Sequence, residues 1–293
     1  MANFEADVDK SSENFMKANR PEGQIIYIAN RIQQVLMISW EDITQLLFMS
    51  ADDLGWGRLT NKDIMDIGCG DGSRSTKAII DVFPTVRRVI AMDSESEKIR
   101  GAFGNTCPSK VFYMRADILH SSTFKGYEGS MHAIFSDFCF NDFDDHETAF
   151  RNVYDLLTPG GSAAIRFPLK IPIYDWIKEV YAKWMPGVTP WAPRTQVENL
   201  PEHYYRQMFT RLGFTIRRCE TCDMHFKIGS YANLKRSLAG CEEWSSVIRP
   251  ELLFPFNEDA YARSLKYCSV SSAGMCSMKA ETLLAFLIKP NDQ

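Results

Sequence analysis

Between Ile64 and Phe167 the chain alternates short apolar runs with amphipathic stretches, and that rhythm restricts the fold more than any other feature. Ile64-Met65-Asp66-Ile67 reads as a buried strand, and Ser73 to Phe83 as a helix stopped by Pro84. Val86 to Asp93, Val111 to Asp117 and Met131 to Phe138 read as the second, third and fourth strands. His146 to Leu157 reads as a helix closed by Thr158-Pro159-Gly160-Gly161, and Ala163 to Phe167 as a fifth strand. Apolar strands buried on both sides and separated by helix-length connections imply a mostly parallel sheet with helices on both faces, an α/β fold.

The flanks have a different rhythm. The first 20 or so residues read as a mobile arm. From Gln24 to about Asp53 apolar residues recur every three or four positions, a helical stripe ended by Gly55-Trp56-Gly57. After Pro168, Tyr174 to Trp184 and Glu198 to Leu212 read as helices, with a loop at Met185 to Ala192 between them. Gly213 to Asp223 and Thr282 to Lys289 read as strands, and Ser230 to Lys279 as mixed and mostly helical. Nothing resembles a linker. The expectation is one domain, 1–293: a helical arm over 1–60, a ligand-binding core over 61–170, then cap helices and a final strand pair over 171–293.

Composition narrows the function classes. A net charge of -4 with no cluster of Lys and Arg argues against gripping nucleic acid by charge. The Arg87-Arg88 pair begins a strand and reads as solvated. No apolar run is long enough to span a bilayer, and the polar, acidic first residues do not form a secretory signal. Eight scattered cysteines read as reduced thiols. A cytoplasmic protein without nucleic-acid or membrane partners is expected, its oligomeric state left open.

The chemistry concentrates at Asp66-Ile67-Gly68-Cys69-Gly70-Asp71-Gly72, where a buried strand runs into glycines and then a helix. Glycine lets the backbone turn sharply and approach a ligand, and the helix start offers unpaired N–H groups. A dinucleotide site has such a loop too. Here, however, a G-x-G-x-x-G reading ends on Ser73, which fits poorly. Asp66 before the glycines suits an ammonium and would repel a pyrophosphate. Asp93 ends the second strand and can take both hydroxyls of a ribose; Asp117 ends the third and can accept from an adenine amino group. Ligands of such sheets sit at the carboxyl ends of the strands, where all three acids fall. Cys69, Asp71, Ser94, Ile118, Ser136 and Asp137 complete the candidate cofactor set.

The glycine loop and its acids resemble the class I S-adenosylmethionine-dependent methyltransferases, and LLTPGG before strand five is similar to that family. The likeness covers roughly Lys62 to Phe167. It implies a Rossmann-like sheet with its last strand antiparallel, and S-adenosyl-L-methionine as cofactor. FSDFCFNDFDDHETAFRNVYDLL, from Phe135 to Leu157, looks like the arthropod juvenile hormone acid methyltransferases, as do Ile171 to Asp175 and Gly213-Phe214-Thr215. That likeness implies helical elements capping an apolar acceptor pocket. It departs at Asn141-Asp142, where the family carries a His-Trp pair that helps hold the acceptor carboxylate. A Gln of the family's N-terminal segment aligns loosely with Glu22 or Gln24.

Methyl transfer from a sulfonium is a direct displacement, so the protein mainly aligns the reactants in a dry pocket. A carboxylate acceptor needs no base, whereas phenols, alcohols or amines can require one. Acceptor-positioning candidates are Gln24, Asn141, Asp142 and Tyr174, with Phe15, Phe138, Phe140 and Phe143 as pocket wall; no catalytic base stands out. His146 reads as a helix cap. Cys219-x-x-Cys222-x-x-His225 has part of a zinc spacing but no fourth ligand, and reads as structural. Asp137, Asn141, Asp142, Asp144 and Asp145 could gather Mg²⁺, but read as a solvated helix start with Asp144 or Asp145 as N-cap. No metal is expected. The reading is methyl transfer to a small apolar molecule, a terpenoid or fatty carboxylic acid. The alternatives are an amine or phenol methyltransferase, or a cofactor-binding interaction protein without turnover, with a dehydrogenase more distant.

Overall fold

The computed structural model describes residues 39–104, 109–187, 200–230 and 248–291, with single positions 190, 192, 195, 198 and 232. In chain order the elements are α1 (Trp40–Leu54), β1 (Asp63–Ile67), α2 (Ser75–Val82), β2 (Arg88–Asp93), α3 (Ser96–Ala102), β3 (Val111–Arg115), β4 (Met131–Asp137), α4 (His146–Leu156) and β5 (Leu157–Lys170). Then follow α5 (Pro172–Trp184), α6 (Glu202–Arg211), β6 (Thr215–Ser230), α7 (Leu253–Ser264), β7 (Ser269–Val270) and β8 (Met275–Ile288). The mobile-arm reading, Phe15, Glu22, Gln24 and the stripe up to residue 38 lie outside the described residues.

Strand order is β3-β2-β1-β4-β5-β8-β6, with β7 paired to β8. The pairs β2–β3, β1–β2, β1–β4 and β4–β5 are parallel, and β8 runs antiparallel to β5. The fold is the expected one: mixed α/β, mostly parallel, with an antiparallel strand near its end. Period-two alternation sorts the side chains onto two faces. Met65, Ile67, Ile134, Ile165 and Phe167 join one core with Phe150, Tyr205 and Phe209. Ile64, Val89, Phe135, Ala164 and Phe286 join the other, with Leu46 and Leu47 of α1 and Ile79 of α2. Ser39 starts α1 with a capping box to Asp42, and Gly55, at φ 72°, ends it.

Ser230 to Lys279 is mixed and mostly helical in its described part, as expected, with a strand pair beyond α7 in which Ser269 faces Ser277 and Val270 faces Cys276. Two expectations need correction. Thr158 to Gly161 does not stand apart as a loop but belongs to β5, held by Gly160 N–H to Lys289 O and Lys289 N–H to Gly161 O, both 2.9 Å. Arg87 and Arg88 are not simply solvated: both clasp the buried Asp63, Arg87 through Nε and Nη2 at 2.8 and 2.5 Å and Arg88 through Nη2 at 2.6 Å.

The described residues fall into two compact units. One draws on 39–170, 193–223 and 281–291 and contains the glycine loop. The other draws on 171–192 and 224–280. Within the second, Trp176 Nε1 donates to Ala260 O at 2.7 Å, tying α5 to α7. Asp259 binds Lys183, Trp184 and Arg263, and Glu179 binds Arg263, Lys266 and Tyr267.

Candidate functional site

The glycine loop is built by what its neighbours leave no room for. At φ +76°, Gly68 sits where a Cβ would lie 2.5 Å from both Cβ and Sγ of Cys139. Gly72, at φ +71°, is equally closed by the Tyr113 hydroxyl. Gly70, at φ +59°, has nothing within 4 Å on its Cβ side, so a ligand can approach its backbone there. The loop is pinned to β2: the N–H groups of Gly68 and Cys69 donate to Met92 O at 2.9 and 3.0 Å, and Gly70 N–H donates to Asp93 Oδ2 at 2.9 Å.

Asp66 is fully buried at the end of β1. Its Oδ2 accepts from the hydroxyls of Ser75 and Thr76, at 2.8 and 2.6 Å, on the first turn of α2. Its Oδ1 has no hydrogen-bond partner. Burial outweighs the two hydroxyls, and with Asp93 and Asp137 nearby the carboxyl is pushed up to about 6. A buried carboxylate oxygen without a donor is costly, and a bound ammonium would relieve it.

Beyond the loop, a cleft of about 260 Å³ opens at the carboxyl ends of β1 to β4. Of the residues expected from sequence, Gly68, Asp93, Ser94, Asp117 and Ile118 line it, together with Ile67, Met92, Ala116, Cys139 and Phe143. Asp93 also organises the backbone, with Oδ1 accepting from Glu95 N–H at 2.9 Å. Asp117 accepts from Leu119 N–H at 2.9 Å and pairs with His120 Nδ1 at 3.0 Å. A carboxylate offers about four lone-pair sites, so both acids could still receive ligand hydroxyl or amino groups.

Other expected residues have side chains committed to the protein. Asp71 accepts from Ser73, through N–H at 3.0 Å and Oγ at 2.6 Å. Ser136 Oγ donates to Ile67 O at 2.8 Å, which ties β4 to β1. Asp137 takes both arms of Arg166, Nε at 2.8 Å and Nη2 at 2.7 Å. Cys69 is buried beside them, and burial pushes its thiol and that of Cys139 up, so both stay protonated. Asn141 is buried: its Nδ2 donates to Asp142 Oδ1 at 2.6 Å, and its Oδ1 has no partner. Asp142 is exposed. Tyr174 is buried on α5, in the other unit.

His146 is not a helix cap. The N-cap is Asp145, whose Oδ1 accepts from Thr148 N–H at 2.9 Å. His146, fully buried, meets Tyr205 Oη through Nδ1 at 2.9 Å and stands edge-on to Phe167. Cys219 and Cys222, three apart on β6, point to opposite faces of the strand. Sequence reasoning missed Ser75, Thr76, Cys139, Tyr113 and Arg166. Arg166 left a signal, a charge inside the apolar run Ala163 to Phe167, which demands a buried partner.

Residues 64–161, the stretch that holds the loop, the three acids and the cleft, match the methyltransferase domain family. That domain makes the chain an S-adenosylmethionine-dependent methyltransferase. It is 23% identical over 223 residues to the juvenile hormone acid O-methyltransferase of Bombyx mori, a span of 74% of this chain and 79% of that protein. In fold, the methyltransferase is similar to the YcgJ protein of Bacillus subtilis, with a TM-score of 0.52 and 15% identity over 84% of this chain and 98% of that one. It is also similar to phosphoethanolamine N-methyltransferase 2 of Haemonchus contortus in complex with S-adenosyl-L-methionine, with a TM-score of 0.53 and 16% identity over 94% of this chain and 59% of that one. Its cofactor is S-adenosylmethionine, which supplies an electrophilic methyl group on a sulfonium. Among the described residues no helix is long and apolar enough to cross a membrane.

Proposed function

We propose that this methyltransferase holds the cofactor's ammonium at Asp66 Oδ1, its ribose at Asp93 and its adenine at Asp117, Ser94 and Ile118, and methylates the carboxylate of a small apolar molecule, a terpenoid or fatty acid. The fit to the cofactor rests on the orphaned Asp66 oxygen and on the open side of Gly70. The make-up of the cleft carries the choice of acceptor. Among the described residues that line it there is no histidine or lysine, and burial holds the Cys139 thiol protonated. A carboxylate, already ionised at neutral pH, needs no base. The Bombyx mori relative supports the same class. Phe143, which lines the cleft, would give the acceptor an apolar wall, backed by Phe140 buried in the core behind it at 5.1 Å between ring centres.

One observation favours a second reading. The buried Asn141 Oδ1 and the carboxylate of Asp142 beside it are acceptors, suited to the N–H or O–H of an amine or phenol and ill-suited to an acid. A transfer assay with methyl-labelled S-adenosylmethionine over fatty acids, terpenoid acids, amines and phenols decides between the two. Methylation of the acids is expected; turnover of amines or phenols with the acids left untouched rejects the first reading.

A further inference from the structure

Alternation along β4 sorts its side chains onto two faces. Ala133 and Phe135 join the core under α1 and α2, and Ile134 joins the other. Asp137 continues the first set and lies opposite Arg166 of β5, which it binds. Phe138, the next residue, would in extended backbone fall on the side of Ile134. Instead its φ is 62°, a left-handed value. Among the described residues the other non-glycine at positive φ is Asn61, a residue type that tolerates this region, whereas for a bulky side chain it is a strained outlier. The strained turn is held by Phe138 N–H, which donates to Arg166 O at 2.8 Å and extends the β4–β5 ladder by one residue.

The turn brings the ring back to the side of Asp137, where the Arg166 guanidinium lies 5.8 Å from its centre. The ring is half-buried and belongs to neither of the two cores that flank the sheet. It stands just past the carboxyl end of β4, next to Cys139, which lines the cleft. Glycine, used for the same backbone region at Gly68, Gly70 and Gly72, would make this turn without strain; what glycine lacks is the ring. A phenylalanine held out of the core against its backbone preference, at the ligand end of the sheet, is arranged for a ligand.

We propose that the Phe138 ring is an acceptor-binding wall, capping the Arg166–Asp137 ion pair on one side and receiving the hydrocarbon of the methyl acceptor on the other. The acceptor thus meets an apolar surface where the sheet would otherwise present a guanidinium. This rests on the reading of the acceptor as a small apolar molecule and names a residue that meets its hydrocarbon, whether the reacting group is a carboxylate or an amine.

The test follows methylation of dodecanoic acid and of dodecylamine, which share a hydrocarbon and differ in the reacting group, in F138A, F138G and F138L. Affinity for S-adenosylmethionine is measured by calorimetry and stability by urea unfolding. F138A and F138G should raise the acceptor KM about tenfold or more, the scale of burying a phenylalanine side chain, with the cofactor Kd within about twofold of wild type. F138L keeps an apolar surface and should stay within about threefold of the wild-type KM. F138G should unfold later in urea than F138A, because both lose the ring and only glycine relieves the left-handed strain. Turnover of the amine alone, with its KM raised in the same variants, sustains the wall and rejects only the carboxylate reading. An unchanged acceptor KM in F138A and F138G overturns the proposal, as does a KM rise matched by an equal loss of cofactor affinity. Unfolding of F138A no sooner than F138G removes its premise of strain and overturns it too. No turnover of either compound by the wild type rejects the apolar acceptor, and the wall with it.

Discussion

The two ends of β1 carry acids that are equally buried and differently served. At its start, Asp63 is clasped by Arg87 and Arg88, and those partners outweigh burial and hold its carboxyl down at about 2. At its end, Asp66 has two hydroxyls, no cation and one orphaned oxygen, and burial pushes it up to about 6. The same residue type, three positions apart, has opposite electrostatics. A buried carboxylate fully served by the protein holds the fold together, whereas one left short is arranged for something the protein does not supply.

The contrast can be broken most forcefully at Asp66. Asp66→Asn removes a charge whose burial costs up to about 3 kcal/mol at neutral pH, by the free energy of a shift of roughly two pKa units. The cofactor-free variant should therefore unfold in urea no sooner than the wild type, and up to that much later. It should nevertheless bind S-adenosylmethionine about 10–100-fold more weakly by calorimetry, the loss of a charge-assisted bond. Unchanged affinity would remove Asp66 from the site.

The pH dependence sharpens the same contrast without a mutation. The folded-state carboxyl of Asp66 lies above its unfolded value, so its contribution to stability is largest below about pH 4 and is lost as pH rises toward about 6. Asp63 is the reverse: lowered in the fold, it contributes above about pH 4 and loses that contribution as pH falls toward 2. Cofactor affinity should weaken as pH drops below about 6, because a protonated Asp66 cannot hold an ammonium, and Asp66→Asn should flatten that dependence.

Smaller effects are expected where the protein serves itself. Asp63→Asn should cost about 1–2 kcal/mol in urea unfolding, less than a fully buried pair because both arginine heads reach solvent, and should leave cofactor affinity unchanged. Ser136→Ala removes only the bond to Ile67 O and should cost about 1 kcal/mol, with at most a twofold change in affinity.

Much of this was legible in the chain. The run from Ile64 to Phe167 announces its strands because buried parallel strands are continuous apolar runs and the helices between them have the longer period. The cleft-lining set Gly68, Asp93, Ser94, Asp117 and Ile118 was legible because strand ends that follow one another in sequence come together in space. What escaped were pairings across distance. Arg166 and Asp137 are 29 residues apart, and only the β4–β5 register sets them opposite one another. His146 was misread because a helix start suggests a cap, and its burial against Tyr205, 59 residues on, has no local signature.

The alternation of strand and helix, the turn chemistry of Gly68, Gly70 and Gly72, and an acid at the end of each of the first three strands are local facts, and the sequence by itself determined them. Which acids are left unserved is not local. Asp63, Asp66 and Asp137 look alike in the chain, and each is a buried or nearly buried carboxylate that must find donors. Tertiary structure decided that Asp63 meets two arginines, that Asp137 meets one, and that Asp66 meets hydroxyls and keeps one oxygen unpaired, because the donors arrive from other strands and helices at positions set by register and packing.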